Sequence, residues 1–120
     1  MHQPRQIAMH AAGALAEKKG INIQLLDVAS LTTLADYFLI CTGTSGVHVK
    51  TLCDAVEKAV ADELGEPLLH REGHRSGTWV LLDFGSLIVH VFTEETRKFY
   101  DLEHLWSDAT PVSLENLENA

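Results

Sequence analysis

The stretch from Trp79 to Phe92 constrains the fold of this chain more than any other part of the sequence. It consists of two apolar runs separated by residues 83–86, Asp-Phe-Gly-Ser, and this pattern is typical of a β-hairpin with a tight turn. We predict that Phe84 and Gly85 form a two-residue loop. That loop sets the expected facing pairs of the two strands, which are Asp83 with Ser86, Leu81 with Ile88, and Trp79 with His90.

The two faces of the predicted hairpin differ in chemistry, because side chains alternate between the faces of a strand. One face is entirely aliphatic and is predicted to join the core: Val80, Leu82, Leu87, Val89 and Val91. The other face combines aromatic, aliphatic and titratable side chains: Trp79, Leu81, Ile88, His90 and Phe92. Such a mixture is expected of a surface that meets a partner protein. Coverage by a helix of the same chain is the alternative that the pattern leaves open.

Composition and charge limit the class of protein. The chain has 120 residues, of which 46% are apolar and 22% charged, as in an ordinary soluble domain. No apolar run reaches the roughly 18 residues of a membrane helix, and the N-terminus does not resemble a signal peptide, so a cytoplasmic protein is expected. The net charge of −8, with nine scattered Lys and Arg residues, disfavours direct nucleic-acid binding, which calls for a basic stripe.

The rest of the chain predicts alternating helices and strands. Periodicity indicates helices over residues 4–19, 47–64 and from 93 onward, and strands over 21–28, 37–41 and 67–72 in addition to the hairpin. Gly20 is expected to supply the left-handed cap of the first helix, and Ser45 the N-cap of the second. The order predicts an α/β (α+β) fold, a mixed β-sheet with helices packed on it. Residues 109–120 lose periodicity and are expected to form a flexible C-terminal tail.

Two patterns suggest chemistry, and each lacks a required part. The Thr42–Gly46 loop joins a strand to a helix, as phosphate-binding loops do, but it has no lysine and neither of the common glycine-rich patterns. Nucleotidyl transfer also needs paired acids on a strand to hold Mg²⁺, whereas Asp83 stands alone at a turn. His70 and His74 have a metal-ligand spacing, but they lie across a strand end without the helix and glutamate of a metalloprotease.

We therefore expect no catalytic residues, no metal and no cofactor. The two cysteines, Cys41 and Cys53, are too few for a disulfide framework or a cysteine-based zinc site. A structural cap is the preferred interpretation of the Thr42–Gly46 loop. A nucleotide-binding or nucleotidyl-transfer-related protein that uses this loop remains the alternative function.

Five motifs that follow one another in order resemble the ribosomal silencing factor family, also called the Iojap-like family. They are A-D-Y-F-L-I-C-T-G-T-S at 35–45, E-G at 72–73, W-V-L-L-D-F-G at 79–85, V-H-V-F at 89–92 and Y-D-L-E-H-L-W at 100–106. The resemblance covers roughly Ile7 to Asp108, which is nearly the whole chain. It implies a single domain over residues 1–108 with a nucleotidyltransferase-like topology that lacks the catalytic acids.

The resemblance also implies a function and a binding surface. Members of this family repress translation without catalysing a reaction: they bind the large ribosomal subunit through its ribosomal protein fourteen and block joining of the small subunit. Bacterial members act in the cytoplasm and form homodimers, with no membrane and at most minor direct contact to RNA. Carried over to this chain, the resemblance implies that six side chains contribute to the ribosomal contact: Trp79, Leu81, Asp83, His90, Tyr100 and Trp106.

Overall fold

The computed structural model describes residues 2–73, 78–100 and 107–114, with the backbone alone for residues 99 and 100. Within these residues the chain forms, in order, α1 (Pro4–Glu17), β1 (Ile21–Asp27), β2 (Tyr37–Gly43), α2 (Gly46–Glu57), β3 (His70–Glu72), β4 (Trp79–Asp83), β5 (Leu87–Thr93), α3 (Glu94–Tyr100) and β6 (Thr110–Val112). A wider π-helical segment, Lys58–Glu63, continues α2. No helix in this described part is both long and apolar enough to span a membrane.

The described strands form one mixed sheet in the order β3-β4-β5-β2-β1-β6. β2 and β5 pair in parallel, from Tyr37 opposite Leu87 to Gly43 opposite Thr93. The other neighbouring strands pair in antiparallel fashion. β2 is therefore central, and the predicted mixed sheet with packed helices is confirmed.

The helices α1 and α2 pack on one face of the sheet, which we call the helix face. The predicted aliphatic side of the hairpin lies here, and all five of its residues are buried in the main core cluster. The apolar stripes of the two helices are buried against them: Ile7, Ala8, Ala11, Ala12 and Leu15 from α1, and Val49, Leu52, Cys53 and Val56 from α2. The aliphatic face was thus assigned correctly from alternation alone.

The opposite face, which we call the open face, carries a second core cluster. Its buried members are Leu26, Val28, Ala35, Phe38, Ile40, Ile88, Phe92 and Ala109, with Trp79 and Leu81 packed against them as partly buried residues. Ala35 belongs to the connector between β1 and β2, and Ala109 precedes β6. Non-helical segments of the chain therefore cover part of this face, while Trp79 and Leu81 stay partly exposed.

The register of the hairpin differs from the predicted one by two residues. The observed facing pairs are Trp79 with Phe92, Leu81 with His90, and Asp83 with Ile88. The Phe84 N–H donates to the carbonyl oxygen of Leu87 at 2.9 Å, so the loop consists of Gly85 and Ser86 rather than Phe84 and Gly85. Gly85 has φ +88°, which suits the first position of a type II′ turn. Because the shift is even, every side chain keeps its predicted face.

Gly20 does not act as the left-handed cap that the sequence predicted for α1. The left-handed residue is Lys19, with φ 64°. Gly20 is needed for space instead: a Cβ atom there would lie 2.5 Å from the Cys41 sulfur and 3.0 Å from the carbonyl oxygen of Leu15. The glycine therefore allows the end of α1 to approach the central strand closely.

The N-cap prediction for α2 is confirmed, and the segment that the sequence assigned to a C-terminal tail contains the short strand β6. The Ser45 hydroxyl accepts a hydrogen bond from the backbone N–H of His48 at 3.2 Å. Residues 110–112 form β6, with Leu25 of β1 opposite Val112. Val112 also packs against the main core cluster, and Pro111 is tolerated because an edge strand has an outward side that needs no N–H donor. Backbone pairing and side-chain burial thus order a segment that has no periodicity of its own.

Candidate functional site

Strands β3 and β4 place five side chains together at one end of the open face. Trp79, Leu81 and Asp83 alternate along β4 and are partly buried. The antiparallel register puts Glu72 opposite Leu81 and His70 opposite Asp83, and both β3 residues are exposed. Side chains in facing positions have Cβ atoms about 5 Å apart, so the five form one continuous patch. We call this patch the Trp79 surface.

The composition of the Trp79 surface suits non-covalent binding of a protein. An indole and a leucine supply apolar area, and aromatic anchors of this kind carry much of the energy of protein interfaces. Glu72 and Asp83 add two carboxylates beside that area, and like charges in a nucleic-acid backbone would be repelled. The Asp83 Oδ1 atom also accepts a hydrogen bond from the Gly85 N–H at 2.8 Å, which holds the carboxylate at the turn. The patch therefore fits an apolar protein surface edged with cations.

Contacts on the helix face hold the edge strand β3 in place. The Arg71 side chain points to that side, and its Nη1 atom donates to Asp54 Oδ1 and Glu57 Oε2 of α2, at 3.2 Å each. These ionic contacts are partly exposed, so each contributes little to global stability. Their geometric effect is to fix the strand that carries His70 and Glu72.

His90 lies beneath Trp79 and presents almost no surface of its own. Its exposed fraction is 8%, and its ring forms a T-shaped contact with that of Phe38, with the ring centroids 5.4 Å apart. The indole Nε1–H of Trp79 donates to His90 Nδ1 at 3.4 Å. Burial lowers the pKa of His90 to about 4, so the ring is neutral at pH 7. An imidazole that accepts a hydrogen bond through Nδ1 carries its proton on Nε2.

The structure brings four of the six predicted contact residues onto the open face, namely Trp79, Leu81, Asp83 and His90. The backbone of Tyr100 ends α3, which begins directly after β5, and Trp106 lies outside the described residues. The guanidinium of Arg97 anchors α3, because its Nη1 atom donates to Thr42 Oγ1 at 2.6 Å and to the carbonyl oxygen of Asn22 at 2.9 Å. The start of the segment that carries Tyr100 is therefore fixed against the sheet.

A model of the family described as "Ribosomal silencing factor during starvation" matches residues 1–120 of the chain. The chain belongs to this family. A ribosomal silencing factor of Bacillus subtilis is 39% identical over 111 residues, which are 92% of this chain and 93% of the relative. A crystal structure of a Chromobacterium violaceum protein superposes with a TM-score of 0.85 at 38% identity, with 88% of each chain covered. The family assignment that the five motifs implied is thereby confirmed.

A more distant relative comes from the mouse. It is named "Mitochondrial assembly of ribosomal large subunit protein 1" and is 30% identical over 95 residues, which are 78% of this chain and 42% of the relative. The names of the bacterial relatives denote a regulatory factor.

In this chain, the Thr42–Gly46 loop forms hydrogen bonds with the first turn of α2. The backbone N–H of Thr44 donates to His48 Nδ1 at 2.9 Å, and the Ser45 hydroxyl takes the N–H of His48. A Cβ atom on Gly43 would lie 2.8 Å from a methyl group of Val49, so this glycine serves close packing of the helix on the strand. Two donors that a phosphate would use are thus already bonded, and the geometry favours a structural cap over a nucleotide site.

The metal interpretation of the histidines has no counterpart in the described residues. His70 points to the open face beside Asp83, while His74 lies outside the described part of the chain. Across residues 2–73, 78–100 and 107–114, no three His, Cys, Asp or Glu side chains come together as a metal site.

Sequence reasoning missed His70 and Glu72 as members of the Trp79 surface. The predicted strand over residues 67–72 runs toward the hairpin, and a short connection between neighbouring strands favours antiparallel pairing. That pairing would have placed alternate residues of the two strands on a common face. Arg97 was missed as well, and no local pattern singles it out because its partners lie on β1 and β2.

Proposed function

We propose that this member of the ribosomal silencing factor family represses translation by binding the large ribosomal subunit. In this proposal the Trp79 surface docks on ribosomal protein fourteen of that subunit, and the bulk of the bound domain prevents the small subunit from joining. The action is steric and stoichiometric, with no reaction catalysed. The observation that carries the proposal is the partly exposed Trp79–Leu81 pair beside two carboxylates on the face opposite α1 and α2.

Charge supports a protein partner rather than RNA. The chain has a net charge of −8, and Glu72 and Asp83 place negative charge within the patch itself. Complementary charges speed the encounter of two proteins and select the partner, whereas phosphates would be repelled. Ribosomal proteins carry many lysine and arginine side chains, so they match this surface. The name of the mouse relative, which refers to the ribosomal large subunit, agrees with such a partner.

The test is sedimentation of the protein with purified large subunits through a sucrose gradient at near-physiological salt, followed by addition of small subunits. We expect the wild-type protein to co-migrate with the large subunit and to reduce the amount of joined particle. Trp79→Glu places a charge in the desolvated centre of the contact and is expected to weaken binding by about 2 kcal/mol, which corresponds to a roughly 30-fold loss of affinity.

A matched control is Ala16→Glu, which adds the same charge at an exposed position of α1 on the helix face. This variant should bind and inhibit joining as the wild type does. Wild-type-like binding by folded Trp79→Glu would remove Trp79 from the contact. A wild-type protein that stays at the top of the gradient and leaves joining unaffected would end the proposal altogether.

The proposal extends to the free protein, which we expect to be a cytoplasmic homodimer. We also expect Tyr100 and Trp106 to lie near the contact with the ribosomal protein. Light scattering of the purified protein measures the dimer directly. Substitution of Tyr100 or Trp106 by alanine in the sedimentation assay shows whether the segment after β5 adds to the contact. An affinity unchanged by both substitutions would confine the contact to the sheet.

A further inference from the structure

His90 is too deeply buried to make a substantial contact with a partner. Its exposed fraction is 8%, and its ring lies against the rings of Phe38 and Trp79. The ring of Trp79, by contrast, is partly exposed on the same face. A role for His90 in binding must therefore pass through the indole above it.

The register of the hairpin makes Trp79 and His90 diagonal neighbours. Leu81 faces His90 and Trp79 faces Phe92, and diagonal positions about 7–8 Å apart remain within reach of aromatic side chains. The indole contacts both rings: its centroid lies 6.2 Å from that of His90 and 6.0 Å from that of Phe92. Phe92 offers an apolar wall, which makes no directional contact with the indole N–H. His90 offers a directional acceptor at 3.4 Å from Nε1.

We propose that His90 is a positioning residue of the Trp79 surface, whose Nδ1 atom accepts the indole N–H and so fixes the orientation in which Trp79 meets the partner. This role rests on the proposed function in so far as Trp79 is the anchor of the contact. Indole has one N–H donor, and in this partly buried side chain that donor is directed at His90. An anchor held in its bound orientation before encounter avoids the ordering cost that a freely rotating side chain would incur on binding.

The first test uses the unmodified protein and no ribosome. A long-range ¹H–¹⁵N correlation spectrum at pH 7 reports which imidazole nitrogen carries the proton, and His90→Asn identifies the signals of His90. We expect the Nε2–H tautomer, with Nδ1 free to accept, and a downfield indole N–H signal that disappears in Trp79→Phe. A proton on Nδ1 would refute the proposal, because that atom would then be unable to accept the hydrogen bond.

The second test separates positioning from general stability. His90→Asn keeps a side-chain oxygen near the position of Nδ1, and His90→Leu removes the acceptor at similar volume. We expect His90→Leu to reduce affinity for the large subunit about fivefold or more, and His90→Asn to retain most of it. In a Trp79→Phe background, which has no indole N–H, His90→Leu should cause little further loss. Equal losses with and without the indole would overturn the positioning role.

The two proposals fail in distinguishable ways. If the proposed function is wrong, Trp79→Glu binds the large subunit like the wild type or the wild type does not bind, while the tautomer and indole signals stay as expected. If the positioning role is wrong, Trp79→Glu still weakens binding, but His90→Leu has no effect or acts independently of the indole.

Discussion

The close approach of α1 to the central strand gives a stability prediction that the geometry makes quantitative. Gly20→Ala would add a methyl group whose carbon lies 2.5 Å from the Cys41 sulfur, 3.0 Å from the Leu15 carbonyl oxygen and 3.4 Å from a methyl group of Leu52. Cys41 and Leu52 are fully buried, so neither can move aside without disturbing the core. Gly20 itself is outside the left-handed region, and the added side chain would therefore cause crowding rather than backbone strain.

The expected cost follows from two opposing contributions. Overpacking a well-filled core costs about 1–3 kcal/mol, whereas replacing glycine by alanine at a permissive backbone position recovers about 0.4–1 kcal/mol through the unfolded state. We expect Gly20→Ala to lower the free energy of unfolding by about 2 kcal/mol. Cys41→Ala alone should cost about 1 kcal/mol, because it removes one buried heavy atom and leaves a small cavity.

The double variant is the informative one. In Gly20→Ala with Cys41→Ala, the new methyl group occupies space that the sulfur has left, and only the approach to the Leu15 carbonyl remains tight. Additive effects would give a loss of about 3 kcal/mol, whereas relief of the clash should leave about 1–1.5 kcal/mol, a coupling of about 1.5 kcal/mol. Urea unfolding under reducing conditions measures all four free energies, provided that the m-values agree.

Cys53 provides the matched control, because it is equally buried but is not among the three atoms nearest to the Gly20 Cβ position. Gly20→Ala and Cys53→Ala should add within about 0.5 kcal/mol. If Gly20→Ala costs as much in the Cys41→Ala background as in the wild type, the sulfur is not the obstacle and the reasoning is refuted.

Three further predictions concern the stability contributions of His90, Ser45 and Gly85. Burial lowers the pKa of His90 from 6.5 to about 4, so the unfolded chain takes up this proton first as the pH falls. The free energy of unfolding should therefore drop between about pH 6.5 and 4, with a loss of about 2 kcal/mol from pH 7 to 5. Urea unfolding at each pH measures this loss, and His90→Asn, which lacks the imidazole, is the reference. Equal pH dependence of the unfolding free energy in the wild type and in His90→Asn would contradict the prediction. Ser45→Ala removes the N-cap of α2 and should lower the free energy of unfolding by about 1 kcal/mol. Thermal unfolding measures this loss, and Ser30→Ala, at an exposed position in a turn, is the control. Gly85→Ala forces a side chain into φ +88° and should cost about 1–2 kcal/mol, with Asn a better replacement than Ala; equal stability of Gly85→Ala and the wild type would show that the turn relaxes.

The faces of the hairpin could be predicted from the sequence, whereas its register could not. Alternation is a local property of an extended chain, so the division between aliphatic and aromatic sides survived a register error of two residues. The register depends on which residue adopts the positive φ of the turn. Gly85 is the second residue of the predicted loop and the first of the observed one, and both placements are consistent with the sequence around it.

Features that depend on distant parts of the chain were out of reach of local patterns. β6 is ordered by the free edge of β1 and by burial of Val112, neither of which is visible in residues 110–112. His90 is buried against the rings of Phe38 and Trp79, which come from two other strands. Alternation correctly assigned His90 to the same face as Trp79, but only the packing distinguishes the covered ring from the exposed one.

The parallel pairing of β2 with β5 has a consequence for when the protein becomes active during its own synthesis. Residues 37–43 pair with residues 87–93. Such parallel pairing is slow to form, because the entropy of closing the long intervening loop is lost before the stabilising contacts between the strands are made. β4 reaches the sheet only through β5, so the support under Trp79 is absent until the strand ending at Thr93 has been made. Under the proposed function, an unfinished copy emerging from a ribosome has no anchored indole to present, and repression begins only with chains whose synthesis has passed this point.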